Sequence, residues 1–222
     1  MKKTGFIIVV LSAVFFSCNK SGTTSSQSYT SPVPQVMLDY GFFLPGTYWV
    51  YQDSATHATD SVYVTYALSA NKSVTQQQNL GYTGIFGYYT ERWMGTREAE
   101  TDNLNVDMSQ QPGATTSVLW MDKSIGGNFY GKNILMASVF TPGYTLYPNS
   151  EPNGSMEFIS GFDSLKVGSV YYKKVIQVYD KRNSLQKNNR TNFFISKNMG
   201  IVRKELLDSN RVWNLVRSHI VQ

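Results

Sequence analysis

Apolar and polar residues alternate along most of the chain beyond residue 47. A period of two places every second side chain on the same face of a half-buried strand. Residues 60–68 set Val62, Val64, Tyr66 and Leu68 on one face and Ser61, Tyr63 and Thr65 on the other. Residues 102–108 alternate Leu104, Val106 and Met108 with Asn103, Asn105 and Asp107. Residues 169–180 alternate Val170, Tyr172, Lys174, Ile176 and Val178 with Tyr171, Lys173, Val175, Gln177 and Tyr179. Further strands are predicted at 47–52, 86–94, 117–122, 134–140, 156–160, 192–196, 201–207 and 212–221. Turn residues punctuate them: Pro45-Gly46, Pro112-Gly113, Gly126-Gly127, Pro142-Gly143, Asn153-Gly154 and Asp208-Ser209-Asn210. About eleven short strands rich in Tyr, Phe, Val and Thr predict an all-β domain: one curved antiparallel sheet, as a half-barrel or a sandwich. No long amphipathic helix is predicted, only a short helical turn at Val36–Tyr40 or Val74–Leu80.

The first residues follow a different pattern. Lys2 and Lys3 precede an apolar run from Gly5 to Phe16 that is interrupted only by Ser12. The run has the length of a signal-peptide core and is short for a membrane span. It ends at Phe15-Phe16-Ser17-Cys18, and the chain then turns polar. This arrangement resembles the lipobox of bacterial lipoproteins, with Phe15 where that motif usually has Leu. The resemblance implies that Cys18 carries a diacylglycerol after cleavage, and two acyl chains suffice for stable anchoring. Residues 1–17 are then a signal peptide. Residues 18–35, mostly Ser, Thr and Gly with Pro32 and Pro34, read as the lipidated cysteine and a flexible tether. Residues 36–222 remain for one β domain.

A second resemblance lies in the segments "FFLPGTYWVYQDSA", "FDSLKVGSVYYKKVIQVYD" and "TNFFISKNMGIVRKELLDSNRVWNLVRSHI". They resemble uncharacterised lipoproteins of Bacteroidetes-type bacteria with an antiparallel β domain. The resemblance implies a fold and an address and supplies no catalytic residue. In such lipoproteins acidic residues after the cysteine often direct export to the outer surface. Asn19-Lys20-Ser21-Gly22 has none, which implies an outer-membrane anchor facing the periplasm. The same motifs place Trp49 and Tyr51 on one strand face, predict a tight turn at Gly200, and make Trp213 a candidate to plug the core against Trp49 or Phe193.

Charge and chemistry narrow the function by exclusion. Without Lys2 and Lys3 the 20 basic residues become 18 against 15 acids, so the net charge falls from +5 to +3. No basic cluster suits nucleic acid; the richest, Lys181 to Arg190, reads as a solvated loop. Cys18 is the one cysteine, so no intramolecular disulfide is available. His57, in a predicted hairpin loop, and His219, on the last strand at the parity of Trp213 and Leu215, lack metal-ligand spacing. Asp102, Asn103, Asn105 and Asp107 alternate as a strand and not as a calcium loop. A nucleophile elbow and a phosphate loop are absent from the sequence. The acid pairs Glu98/Glu100 and Glu151/Glu157 offer carboxylates for glycoside chemistry, or are solvated surface groups. No cofactor and no metal are implied.

Aromatic residues make up 14% of the chain. Rings on loops stack on sugars or anchor protein contacts. Tyr88, Trp93, Tyr130 and Tyr144 are therefore the candidate ligand-binding residues. The expected function is a membrane-anchored envelope lipoprotein with a binding or assembly role, partnered by the membrane through its anchor and by a glycan, a lipid or an envelope protein. The alternatives are a carboxylate-dependent glycoside hydrolase and a purely structural envelope lipoprotein.

Overall fold

Local turn chemistry fixes where strands begin, and the alternation decides which side of each is covered. The computed structural model describes residues 30–77, 83–98, 103–109, 118–125, 128–146, 154–182 and 190–222, with side chains over 32–69, 135–145, 156–180 and 190–222. The elements are β1 (Thr30–Ser31), α1 (Gln35–Gly41), β2 (Tyr48–Asp53), β3 (Thr59–Gln77), β4 (Thr83–Glu98), β5 (Asn103–Ser109), β6 (Val118–Ile125), β7 (Asn128–Ala137), β8 (Thr145–Leu146), β9 (Gly154–Val167), β10 (Val170–Arg182), β11 (Thr191–Ser196), β12 (Gly200–Leu206) and β13 (Arg211–His219).

All strands join one sheet in the order β7-β6-β5-β4-β3-β2-β13-β12-β11-β10-β9-β8, with β1 added in parallel beside β4. Every other pairing is antiparallel. The fold is all-β and curls into a half-barrel. Two meanders, β2 to β7 and β8 to β13, meet where β2 pairs with β13. The curl brings β7 against β9 and β10. Leu135, Met136 and Ala137 are consequently buried in succession instead of alternately.

Of the two predicted helical turns, the first is α1 and the second, at Val74, is part of β3. Proline is tolerated where a helix begins because the first amides have no partner inside the helix. Here Pro34 precedes α1 and its carbonyl accepts from the Met37 amide. Met37 and Tyr40 face inward from α1 and are buried. The Tyr40 hydroxyl donates to the Lys174 carbonyl at 2.9 Å, and Asp39 pairs with Lys197 at 3.0 Å. The helix thereby plugs one end of the half-barrel. The turns at Gly46, Gly168 and residues 197–199 lie at this end. The loop 54–58 and the turn 207–210 lie at the other, because β2, β12 and β13 run between them.

Trp49 and Tyr51 share the covered face, as expected, and are buried. The Trp49 indole donates to the Met199 carbonyl at 2.7 Å, and Phe43 meets its ring edge-on at 5.1 Å. Gly200 adopts φ +79° directly after the 197–199 turn. β12 and β13 form the expected antiparallel hairpin, with Leu206 opposite Arg211. Trp213 departs from expectation. It is half-buried at the rim, opposite Asp53 and Lys204, and its ring carries the Arg211 guanidinium at 4.7 Å. The core plug is the Phe43–Trp49 pair near the other end of β2.

Candidate binding face

Two β-bulges decide what the open face of the sheet displays. A bulge inserts one residue and so reverses the alternation beyond it. In β3 the register shifts between Val64 and Tyr66. Val62 and Val64 are buried as predicted, but Tyr66 and Leu68 are exposed. In β13 the register shifts between Leu215 and Arg217. Leu215 stays in the core, while Arg217 and His219 pair with Val50 and Tyr48 and share their face. His219 thus leaves the face of Trp213 and Leu215. A third irregularity affects β10: Lys174 takes φ +51° and Val175 is buried.

The result is a row of rings across three adjacent strands. Tyr63 of β3, Tyr48 of β2 and His219 of β13 are successive cross-strand partners. Neighbouring strands lie about 4.8 Å apart, so the row extends over about 10 Å. Tyr48 and His219 stack with centroids 6.0 Å apart at 27°, and the Arg217 guanidinium lies 6.0 Å from the Tyr48 ring. Tyr63 and His219 are exposed.

Further along the same face runs a polar row. Thr59, Gln52, Asn214, Arg203, Phe194, Gln177 and Ser160 are successive partners from β3 to β9. Ser160 Oγ donates to Gln177 Oε1 at 3.3 Å, and Arg203 pairs with Glu205 at 2.7 Å. Asn192 Nδ2 donates to Glu205 Oε2 at 3.1 Å. Arg203 Nε and Asn214 Oδ1, a donor and an acceptor on paired residues, are buried without a hydrogen-bond partner among the described residues. Such atoms are costly unless something satisfies them.

The covered face carries a closed polar clamp. Asp53 is 0% exposed. Its Oδ1 accepts from the Ala55 and Thr56 amides at 2.8 and 3.0 Å, and its Oδ2 accepts from Arg211 Nε at 2.6 Å. The Thr56 amide first, then Arg211 and the Ala55 amide, lower its pKa from 3.8 to about 2. A carboxylate committed in this way holds the 54–58 loop. It is poorly placed to transfer protons.

The sequence candidates fare unevenly. Tyr88 and Trp93 lie in β4, where Tyr88 pairs with Ser73 and Trp93 with Leu68. Tyr130 lies in β7, at the register irregularity opposite β6. Tyr88 and Trp93 fall in the strand predicted at 86–94, whereas Tyr130 lay between predicted strands and is on one; the side chains of all three, like that of Glu98, lie outside the described residues. Glu100 and Glu151 lie outside them altogether, as does Cys18. Tyr144 does lie in a loop, half-buried against the core. His57 sits in the 54–58 loop at φ +60°, about 17 Å along β2 from the level of His219. Among the described residues no three His, Cys, Asp or Glu side chains gather as a metal site, and no helix is long and apolar enough to cross a membrane. Asn103, Asn105 and Asp107 lie in β5, as the alternation predicts.

Tyr48, Tyr63 and Arg217 are the residues that sequence reasoning passed over. The alternation already put Tyr63 on the polar face, and an aromatic among Ser and Thr on an outward face was the available signal. The β13 bulge left no comparable trace. No family model, curated protein or solved structure matches the chain.

Proposed function

We propose that this chain is a lipid-anchored protein of the bacterial envelope whose open sheet face binds a glycan. The observation that carries the binding reading is the Tyr63–Tyr48–His219 row, in which Tyr63 and His219 are exposed. Rings give pyranose C–H faces a flat apolar surface, with polar tips for the hydroxyls. About 13 Å further along the same face, Gln52, Asn214 and Arg203 add amide groups and a guanidinium, a mixture of donors and acceptors of the kind hydroxyl groups require. Anchoring rests on the lipobox-like segment ending in Cys18. A role as an anchored outer-membrane protein facing the periplasm follows from the same segment.

Two experiments test this. In affinity electrophoresis against soluble polysaccharides and on a glycan array, the wild type should be retained by at least one glycan. Tyr63→Ala and His219→Ala should each weaken that retention about five- to tenfold, the loss of about 1–1.4 kcal/mol expected for one ring contact. Unchanged retention in both variants contradicts the assignment of the face. Turnover of a glycan that Glu98→Gln abolishes would replace it with the hydrolase. For the anchor, an alkyne palmitate analogue fed to expressing cells should label the wild type and spare Cys18→Ser. Equal labelling of both refutes acylation at Cys18.

A further inference from the structure

The β9–β10 hairpin runs on past the end of β11, at the end of the sheet that α1 plugs. β11 ends at Ser196, opposite Val175, while β10 continues back to Val170. Five further residues of strand carry the Gly168 turn about 17 Å beyond that level. One side of the hairpin points inward, with Val167 and Tyr172 buried. The other shows Tyr171, 67% exposed, with its cross-strand partner Lys166, while Val170, the partner of Val167, is 49% exposed at the tip of the hairpin beside the turn. Lys166 stands over the Tyr171 ring at 5.7 Å, and Lys173 is exposed beside it. The acids that described contacts place at this end are already neutralised: Asp163 by Lys174 at 2.6 Å and Asp39 by Lys197 at 3.0 Å. Neither Lys166 nor Lys173 has an ion-pair partner among the described residues.

We infer that the end of this hairpin, with Tyr171 flanked by Lys166 and Lys173 on the outward side and Val170 at the tip, is a contact element for an anionic bilayer surface. Tyrosine favours the headgroup level, where its ring is in apolar surroundings and its hydroxyl stays wet. Lysine stems lie along apolar surface while their ammonium groups reach anionic headgroups. The position of the chain's N-terminal segment points to a membrane as the occupant. α1 docks on this hairpin through Tyr40 and Lys174, and β1 precedes α1 by only three residues. The stretch from Cys18 to Thr30 spans at most about 40 Å. An anchor at Cys18 therefore keeps this end of the domain near the bilayer. The inference draws on the proposed anchor for its setting alone, and its test uses no acyl chain, so the two can fail separately.

The test uses residues 18–222 with Cys18→Ser, which retains every described element and leaves the chain free of cysteine. Single cysteines are introduced at Val170→Cys or Ser209→Cys and labelled with an environment-sensitive fluorophore. Ser209 is exposed in the turn at the opposite end of the sheet. With vesicles of phosphatidylcholine and phosphatidylglycerol at 3:1, the label at Val170→Cys should shift to the blue and that at Ser209→Cys should not. Pure phosphatidylcholine vesicles should produce at least tenfold weaker binding, and added salt should release the protein. In the unlabelled protein, Lys166→Glu with Lys173→Glu, or Val170→Ser with Tyr171→Ser, should lower sedimentation with the anionic vesicles at least tenfold. All four positions are exposed, so the melting temperature should hold. No shift at Val170→Cys, equal shifts at both positions, or unchanged sedimentation of both double variants overturns the inference.

Discussion

Replacing Gly200 by alanine tests how the core plug and the strand boundary are coupled. Gly200 has φ +79°, a conformation that costs an L-residue about 1–2 kcal/mol. A methyl group there would also meet Phe43 Cε2 at 3.3 Å, and Phe43 Cζ and Trp49 Cζ2 at 3.4 Å. Neither ring can yield freely. Phe43 and Trp49 are buried at 2% and 4% exposure, packed edge-to-face, and the indole is fixed by its hydrogen bond to Met199. Crowding a packed core costs about 1–3 kcal/mol. The smaller entropy of the unfolded variant returns about 0.4–1 kcal/mol. Gly200→Ala should therefore lose about 2–4 kcal/mol. At about 2–4 °C per kcal/mol for a domain of this size, the midpoint should fall by roughly 5–15 °C. Circular dichroism melts and urea titrations measure this directly. In the Phe43→Leu background the crowding should ease while the backbone cost stays, so the same substitution should cost about 1 kcal/mol less. A Gly200→Ala midpoint within a degree of wild type refutes both the left-handed turn and the close approach.

Trp213→Ala should cost about 1.5–2.5 kcal/mol, half the figure for a fully buried ring, and clearly less than Trp49→Ala; the reverse order in urea titrations contradicts the rim placement. Asp53 has a folded pKa of about 2, below its ordinary 3.8. Its contribution is therefore complete above about pH 4 and lost as the pH falls toward 2. Asp53→Asn should lower the denaturant midpoint at pH 6 and approach wild type near pH 2; parallel curves across that range refute the Asp53–Arg211 clamp.

The alternation of side chains made the fold class, most strand positions and their turns legible without any tertiary information. Period two is a local property, and Gly46, Gly143, Gly168 and Gly200 each take the positive φ that their turns require. The same sequence placed Trp49 and Tyr51 together correctly, because no bulge interrupts β2. The lipobox-like segment defined its expectation for Cys18 in the same local way. Parity failed where a bulge intervened. Tyr66, Leu68, Arg217 and His219 changed face because one inserted residue reverses every later side chain, and the preference for a bulge lies in pairing with another strand. The ring row could not be read from one segment, since Tyr63, Tyr48 and His219 are joined only by the register among β3, β2 and β13. Burial of Trp213 likewise depended on where β13 crosses the sheet. At the level of Asp53 the ring is half-buried against the core and carries the Arg211 guanidinium, an arrangement set by the pairing of β13 with β2.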